Sequence, residues 1–252
     1  MRNLWLCILF IIIYSSLPAQ RLVNLSHLNH LYEEKKIEGK SMGTIWIYCE
    51  APDMKRITDE DEGFTCIDDV ARALIVYAGE YSKNPHPSLK HKIEMLTEFI
   101  LYMADDKGVW YNFMFPEGEI NRHHINSKAA PNFWTWRAYW ALSEIEKLQL
   151  PGWQRRYKAI NTLCQKTESV IDTLLLHQNN VKVKHGFPQS HLITFPGGDQ
   201  LAVMLMALVN RYATHPQKNK KELLVKIADV LAGSVKGDEQ QLPFGAIMCW
   251  DN

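Results

Sequence analysis

Apolar residues recur along this chain in two kinds of run. In 153–176 (WQRRYKAINTLCQKTESVIDTLLL), Trp153, Tyr157, Ile160, Leu163, Cys164, Ile171, Leu174 and Leu175 return every three or four positions. Charged residues fill the positions between them, which predicts a helix that buries one side. Residues 88–104 and 220–235 carry the same one-sided pattern, and 22–36 carries it more weakly. Residues 70–78 (VARALIVYA) and 201–209 (LAVMLMALV) are apolar nearly all round. Helices of that kind are expected to be buried on every side.

The second kind of run belongs to a repeat. CIDDVARALIVY (66–77), NFWTWRAYWAL (132–142) and PGGDQLAVMLMAL (196–208) align on Ala73, Ala138 and Ala202, at near-constant spacing. The one-sided helices fall between them, giving outer and inner helices in alternation: 22–36 with 67–82, 88–104 with 133–147, 154–177 with 198–213, then 220–235 alone. Pro85, Pro87, Pro151 and Pro216 punctuate the returns after inner helices, where proline is expected to end them. The connections into inner helices are long and hold extended runs, TIWIYCEA (44–51) and VWYNFMF (109–115). Loops of that length in a compact domain are usually functional, and these all enter the N-terminal end of an inner helix. The pattern predicts an all-α fold, an α/α toroid of inner and outer helix layers with short β ribbons in its loops.

On the residues EGFTCIDDVARALIVY (62–77), FWTWRAYWALSEI (133–145) and GGDQLAVMLMAL (197–208), the chain resembles the six-hairpin glycosidase-like superfamily. The resemblance implies a toroid and a carbohydrate substrate. A ring of six such hairpins would need about 400 residues, and three hairpins plus one outer helix are legible. The expectation is an N-terminal portion of the toroid, truncated or completed by a second chain, with a self-contained α/α solenoid as the alternative.

The N-terminus changes where this domain is expected to work. Arg2 precedes the apolar run LWLCILFIIIY, and Leu17-Pro18-Ala19 supplies a small residue before Gln20. This is the pattern of a cleaved signal peptide over residues 1–19, with the remaining domain periplasmic or extracellular and without a membrane span. Lys plus Arg balances Asp plus Glu at 28 each, so no net field draws nucleic acid. Cys49, Cys66, Cys164 and Cys249 have no metal-ligand spacing. A Cys49–Cys66 disulfide and buried free thiols are both open.

Candidate chemistry gathers at the starts of the repeated helices. Asp68 and Asp69 open one inner helix and Asp199 another, where a helix N-terminus favours negative charge. One of them could serve only as a cap, but paired carboxylates around one cavity are what glycoside hydrolysis needs. Asp69 is the first candidate, with Asp68 or Asp199 as its partner. Trp134, Trp136 and Tyr111 are candidate stacking platforms for sugar or, equally, core plugs. Arg72 and Arg137 occupy the same position of the repeat and need carboxylate partners, Asp68 or Asp69 being the natural ones. Arg137 could also bind an acidic sugar, with Gln200 and His124 as further binding candidates, and Glu117 and Glu119 as second-rank acids. The acidic run Asp59–Glu62 lacks the ligand alternation of a calcium loop, and adjacent His123 and His124 suit no single metal. No cofactor or metal is expected. No phosphate loop, GxSxG elbow or HExxH motif is present. The expected function is a glycoside hydrolase acting on an oligo- or polysaccharide, with a polysaccharide lyase acting on a uronate-containing glycan or a non-catalytic glycan-binding domain as alternatives.

Overall fold

The computed structural model describes residues 23–176, 183–184, 187–188, 198–233, 235–236, 239–240 and 245–247. The expected signal peptide, Pro196, Gly197 and Cys249 lie outside the described residues. Residues 1–30 and 31–252 form separate compact units. In the first, the described part runs into a short helix, α1 (Ser26–Leu31), whose entry is held by Asn24 Oδ1 accepting the Ser26 N–H at 2.9 Å.

The outer helix expected over 22–36 is corrected in the second unit. Tyr32–Ile37 (β1) pairs antiparallel with Lys40–Ile45 (β2). Glu38 and Gly39 form the turn between them, at φ 47° and 80°. Two successive left-handed residues give a hairpin turn whose twist matches the strands it joins. A strong local turn thus overrides a weak helical periodicity. The expected ribbons form where the extended runs lie: β3 (Tyr48–Glu50) pairs with β4 (Lys55–Ile57), and β5 (Thr65–Cys66) pairs with β6 (Phe113–Met114). Gly63 leads into β5 at φ 112°, where a Cβ would stand 2.2 Å from the Met114 carbonyl oxygen, so only glycine lets the two loops close on each other.

Six long helices follow: α2 (Ile67–Lys83), α3 (Pro87–Tyr102), α4 (Phe133–Leu148), α5 (Gln154–Leu176), α6 (Gly198–Thr214) and α7 (Lys218–Gly233). Short antiparallel pairs, β7 (Val183–Lys184) with β8 (Phe187–Pro188) and β9 (Val235–Lys236) with β10 (Ala246–Ile247), complete the described elements. Each inner helix packs on the outer helix directly after it, α2 on α3, α4 on α5 and α6 on α7. The close hairpins are therefore those across the short returns, rather than those across the long loops. The inner helices α2, α4 and α6 lie side by side in that order, and β2 packs on α3. This is the layered arrangement of an incomplete α/α toroid. Among the described residues no helix is long and apolar enough to cross a membrane.

The core fills the space between the layers, with Trp110, Trp136, Tyr77, Tyr139, Phe64 and Phe99 fully buried. One expectation for the inner helices needs correction. Val76 on α2 and Met206 and Val209 on α6 are 41%, 40% and 48% exposed, so these helices are not buried on every side. Their flanks meet neighbouring inner helices and their backs meet the outer layer, while no described element covers the remaining side.

A buried charge cluster joins the C-terminal halves of the inner helices α4 and α6 to the outer helices α5 and α7. Arg211 of α6 is wholly inaccessible and donates to Glu146 of α4, to Glu168 of α5 at 2.7 Å and to Asn161 of α5 at 2.8 Å. Tyr139 donates to Glu168 at 3.1 Å, and the Lys220 ammonium of α7 lies 3.1 Å from the same carboxylate. A planar guanidinium satisfied on several sides suits such a site, because an unpaired buried charge is costly.

Candidate active site

The N-terminal turns of the three inner helices meet at the other end. Arg137 Nη1 on α4 donates to Asp68 Oδ2 on α2 at 2.7 Å, and Trp136 Nε1 on α4 donates to Gln200 Oε1 on α6 at 3.1 Å. Each bond joins adjacent copies of the repeat. Cys66, not an aspartate, is the N-cap of α2: its sulfur accepts the Asp69 N–H at 3.4 Å. Asn112, in the strand-like run before β6, takes the next donors. Its backbone oxygen accepts the Ile67 N–H at 2.8 Å and its side-chain oxygen accepts the Asp68 N–H at 3.2 Å. With those N–H groups held by other residues, neither Asp68 nor Asp69 caps its own helix.

The two carboxylates then differ in environment. Asp68 Oδ2 is held by Arg137, whose cation also sits over the Phe133 ring at 4.9 Å. Asp68 Oδ1 is buried and has no hydrogen-bond partner among the described residues. Burial pushes the Asp68 carboxyl above its ordinary value of 3.8, against the opposing pull of Arg137 and Arg72, while the charge of Asp69 adds to the rise. Desolvation outweighs the ion pair because only one oxygen of the carboxylate is compensated. Asp69 pairs instead with Arg72, one turn along α2 and 55% exposed at its side chain. The expected matching of Arg72 and Arg137 with this aspartate pair is thus what the structure shows. Asp199 is half-buried at the start of α6, and its side-chain oxygen accepts the N–H of Gln200 at 2.8 Å.

The aromatic candidates divide. Trp136 is fully buried and Trp134 is 6% exposed, with its indole N–H donating to the Trp110 carbonyl at 2.7 Å. The stacking role expected for these two is corrected: both are core residues, because the apolar phase of α4 turns them towards its neighbours. Tyr111 is half-buried, with the Arg122 cation over its ring at 4.3 Å. His124 is half-buried against Phe113, with ring centroids 5.3 Å apart, and its Nδ1 accepts the Asn126 N–H at 3.2 Å. Its outward nitrogen Nε2 therefore carries the proton in the neutral ring. Glu117 and Glu119 stand exposed at the turn around Gly118.

Several residues of the site escape motif reasoning. Asn121, 2% exposed, donates to the Asp61 carbonyl at 2.6 Å and accepts the N–H groups of His123 and His124 at 3.2 and 3.0 Å. Ser127 Oγ accepts the Phe113 N–H at 2.8 Å. Together they shape loop 121–128 beside the start of α2. The acidic run is a loop brace: Asp59 accepts the N–H groups of Asp61 and Glu62 at 2.8 and 2.9 Å, and Glu62 accepts from Tyr48 at 2.6 Å. Cys49, Cys66 and Cys164 are free thiols, which decides against a Cys49–Cys66 bridge. Among the described residues no three His, Cys, Asp or Glu side chains converge as a metal site would require.

No family model and no curated protein matches the chain. Among solved structures, a glycosyl hydrolase family 88 protein from Bacteroides vulgatus is similar at 15% identity and a TM-score of 0.47, over 69% of this chain and 50% of that one. The chain thus spans about half the length of this neighbour.

Proposed function

We propose that the chain is a carbohydrate-active protein of the glycoside hydrolase type, with its site at the N-terminal ends of α2, α4 and α6. The observation that carries this reading is the asymmetry of the two adjacent carboxylates. Burial raises the Asp68 carboxyl above its ordinary value against the pull of Arg137, the direction that suits a general acid giving a proton to the leaving glycosidic oxygen. Asp69 and Asp199 are the candidates for the second carboxylate, which activates water or attacks the anomeric carbon. This assignment moves the acid role from Asp69, the first choice on sequence grounds, to Asp68. Tyr111, Arg137 and His124 line the approach as substrate contacts, with Arg137 also fixing one oxygen of the acid.

The test is a screen of the protein against a panel of oligo- and polysaccharides, following reducing ends and ultraviolet absorbance together. Asp68→Asn is expected to lower the rate of reducing-end release by about 10²- to 10⁴-fold, the range for loss of a general acid. Wild-type turnover by that variant would remove the assignment, and products absorbing in the ultraviolet would identify a lyase instead. Export is part of the proposal, and mature protein beginning near Gln20 after secretion is the outcome expected from N-terminal sequencing.

A further inference from the structure

We propose that Asn112 is the positioning residue of this site, holding the start of α2 and the rim loop 121–128 together so that Asp68 and Asp69 face substrate instead of capping their own helix. The proposal rests on the reading of those aspartates as the acid and its neighbour.

Asn112 is 4% exposed, and all its polar groups are engaged. Its N–H donates to the Ser127 carbonyl at 3.1 Å, and its carbonyl accepts the Ile67 N–H at 2.8 Å. Its Oδ1 accepts the Asp68 N–H at 3.2 Å, and its Nδ2 donates to the Asn126 carbonyl at 3.1 Å. An N–H on one side and a C=O on the other fix the orientation of the amide, since the reverse would set like dipoles together. Two of these bonds belong to the helix and two to the loop. An aspartate in the first turn of a helix ordinarily gains by turning its carboxylate to the free N–H groups there. Here Asn112 and Cys66 have already taken the N–H groups of Ile67, Asp68 and Asp69. What remains for Asp68 is Arg137 on one oxygen and an unpartnered second oxygen. That second oxygen is itself shut off from solvent, and the exposed fifth of the side chain is the part open to a donating substrate hydroxyl.

The role separates from mere support of the fold through the titration of Asp68, followed by carbon NMR of labelled aspartate carboxyls and assigned with Asp68→Asn. The charged groups facing Asp68 are Arg137 from α4 and Arg72 and Asp69 from α2, and both variants below leave them in place. Asn112→Ala frees the Asp68 N–H to stabilise a nearby carboxylate, so the Asp68 midpoint is expected to fall by about one pH unit. Asn112→Asp keeps the acceptor for that N–H but sets an oxygen against the Asn126 carbonyl where Nδ2 had donated. It also adds a like charge, so the midpoint is expected to rise by about one unit. Midpoints within about 0.3 unit of wild type in the folded variants would overturn the proposal. If Asn112→Ala does not fold, Asn112→Asp decides alone. The titration needs no substrate. Shifted midpoints in a protein that cleaves no glycan would leave the positioning role standing and remove the hydrolase reading. Active protein with unmoved midpoints would do the reverse.

Discussion

Two ends of the same three inner helices use the same chemistry to opposite effect. At the C-terminal end, Arg211 joins α6 to α4 and α5 through Glu146, Glu168 and Asn161, and no part of the guanidinium reaches solvent. At the N-terminal end, Arg137 joins α4 to α2 through one oxygen of Asp68 and leaves the other without a protein partner. Both are arginine–carboxylate links between adjacent copies of the repeat. The Arg211 guanidinium is engaged on several sides and shut off from solvent, although the buried Lys220 ammonium of the same cluster makes no hydrogen bond, whereas the Arg137 and Asp68 side chains are 24% and 21% exposed. The two links differ in burial, not in residue type.

The sharpest way to break the comparison is at the braced end. Arg211→Met takes the guanidinium from two buried carboxylates, leaving Glu168 with Tyr139 and Lys220 and Glu146 with His215; it should cost about 3–5 kcal/mol in a denaturant titration, and a loss under 1 kcal/mol would show that the cluster is not a clamp. The next effect lies between two inner helices, nearer the proposed site. Gln200→Leu leaves the Trp136 N–H buried without an acceptor, and a loss of about 1–3 kcal/mol is expected from chemical unfolding.

Asp68 should behave in the opposite sense to Arg211. Its carboxyl titrates above the ordinary 3.8 because burial disfavours its charge. Below pH 3.8 the group is protonated in both states and costs nothing. As pH rises through the window from 3.8 to the raised folded value, the unfolded chain ionises first, and stability is lost. Asp68→Asn should therefore flatten that part of the stability–pH curve, alongside the loss of rate expected from the proposed acid role. A steeper curve in the variant would contradict the desolvated acid. The smallest effect belongs to the open side of the inner helices, where Val209→Ser should change stability by no more than about 0.5 kcal/mol. A larger loss would mean that this side is covered in solution.

The sequence made the helices of both layers legible within about two residues, including the start of α2 with its aspartate pair. It also matched Arg72 and Arg137 with that pair, because position in a repeat transfers from one copy to the next. It misled where a short-range signal competed with a weak one, as at Glu38-Gly39, where a two-residue turn and its strands cut the expected helix back to Ser26–Leu31. It misled again at Trp134 and Trp136, since aromatic content does not say which way a ring turns. Asn112 left one trace, a lone amide within the otherwise apolar run VWYNFMF, and nothing nearby in the chain explains it.

Helix positions, and the end of the fold proposed for the site, were legible in the sequence alone, since apolar periodicity and helix polarity act over a few residues. Which residue takes the Asp68 N–H, which oxygen of Asp68 stays unpartnered and which acceptor the Trp136 indole finds were decided only by tertiary structure. Each depends on a partner 44 to 69 positions away, such as Asn112 for the Asp68 N–H, Gln200 for Trp136 and Arg137 for Asp68. Desolvation and hydrogen bonding follow from what lies within a few ångströms, and that neighbourhood exists only once the hairpins have packed.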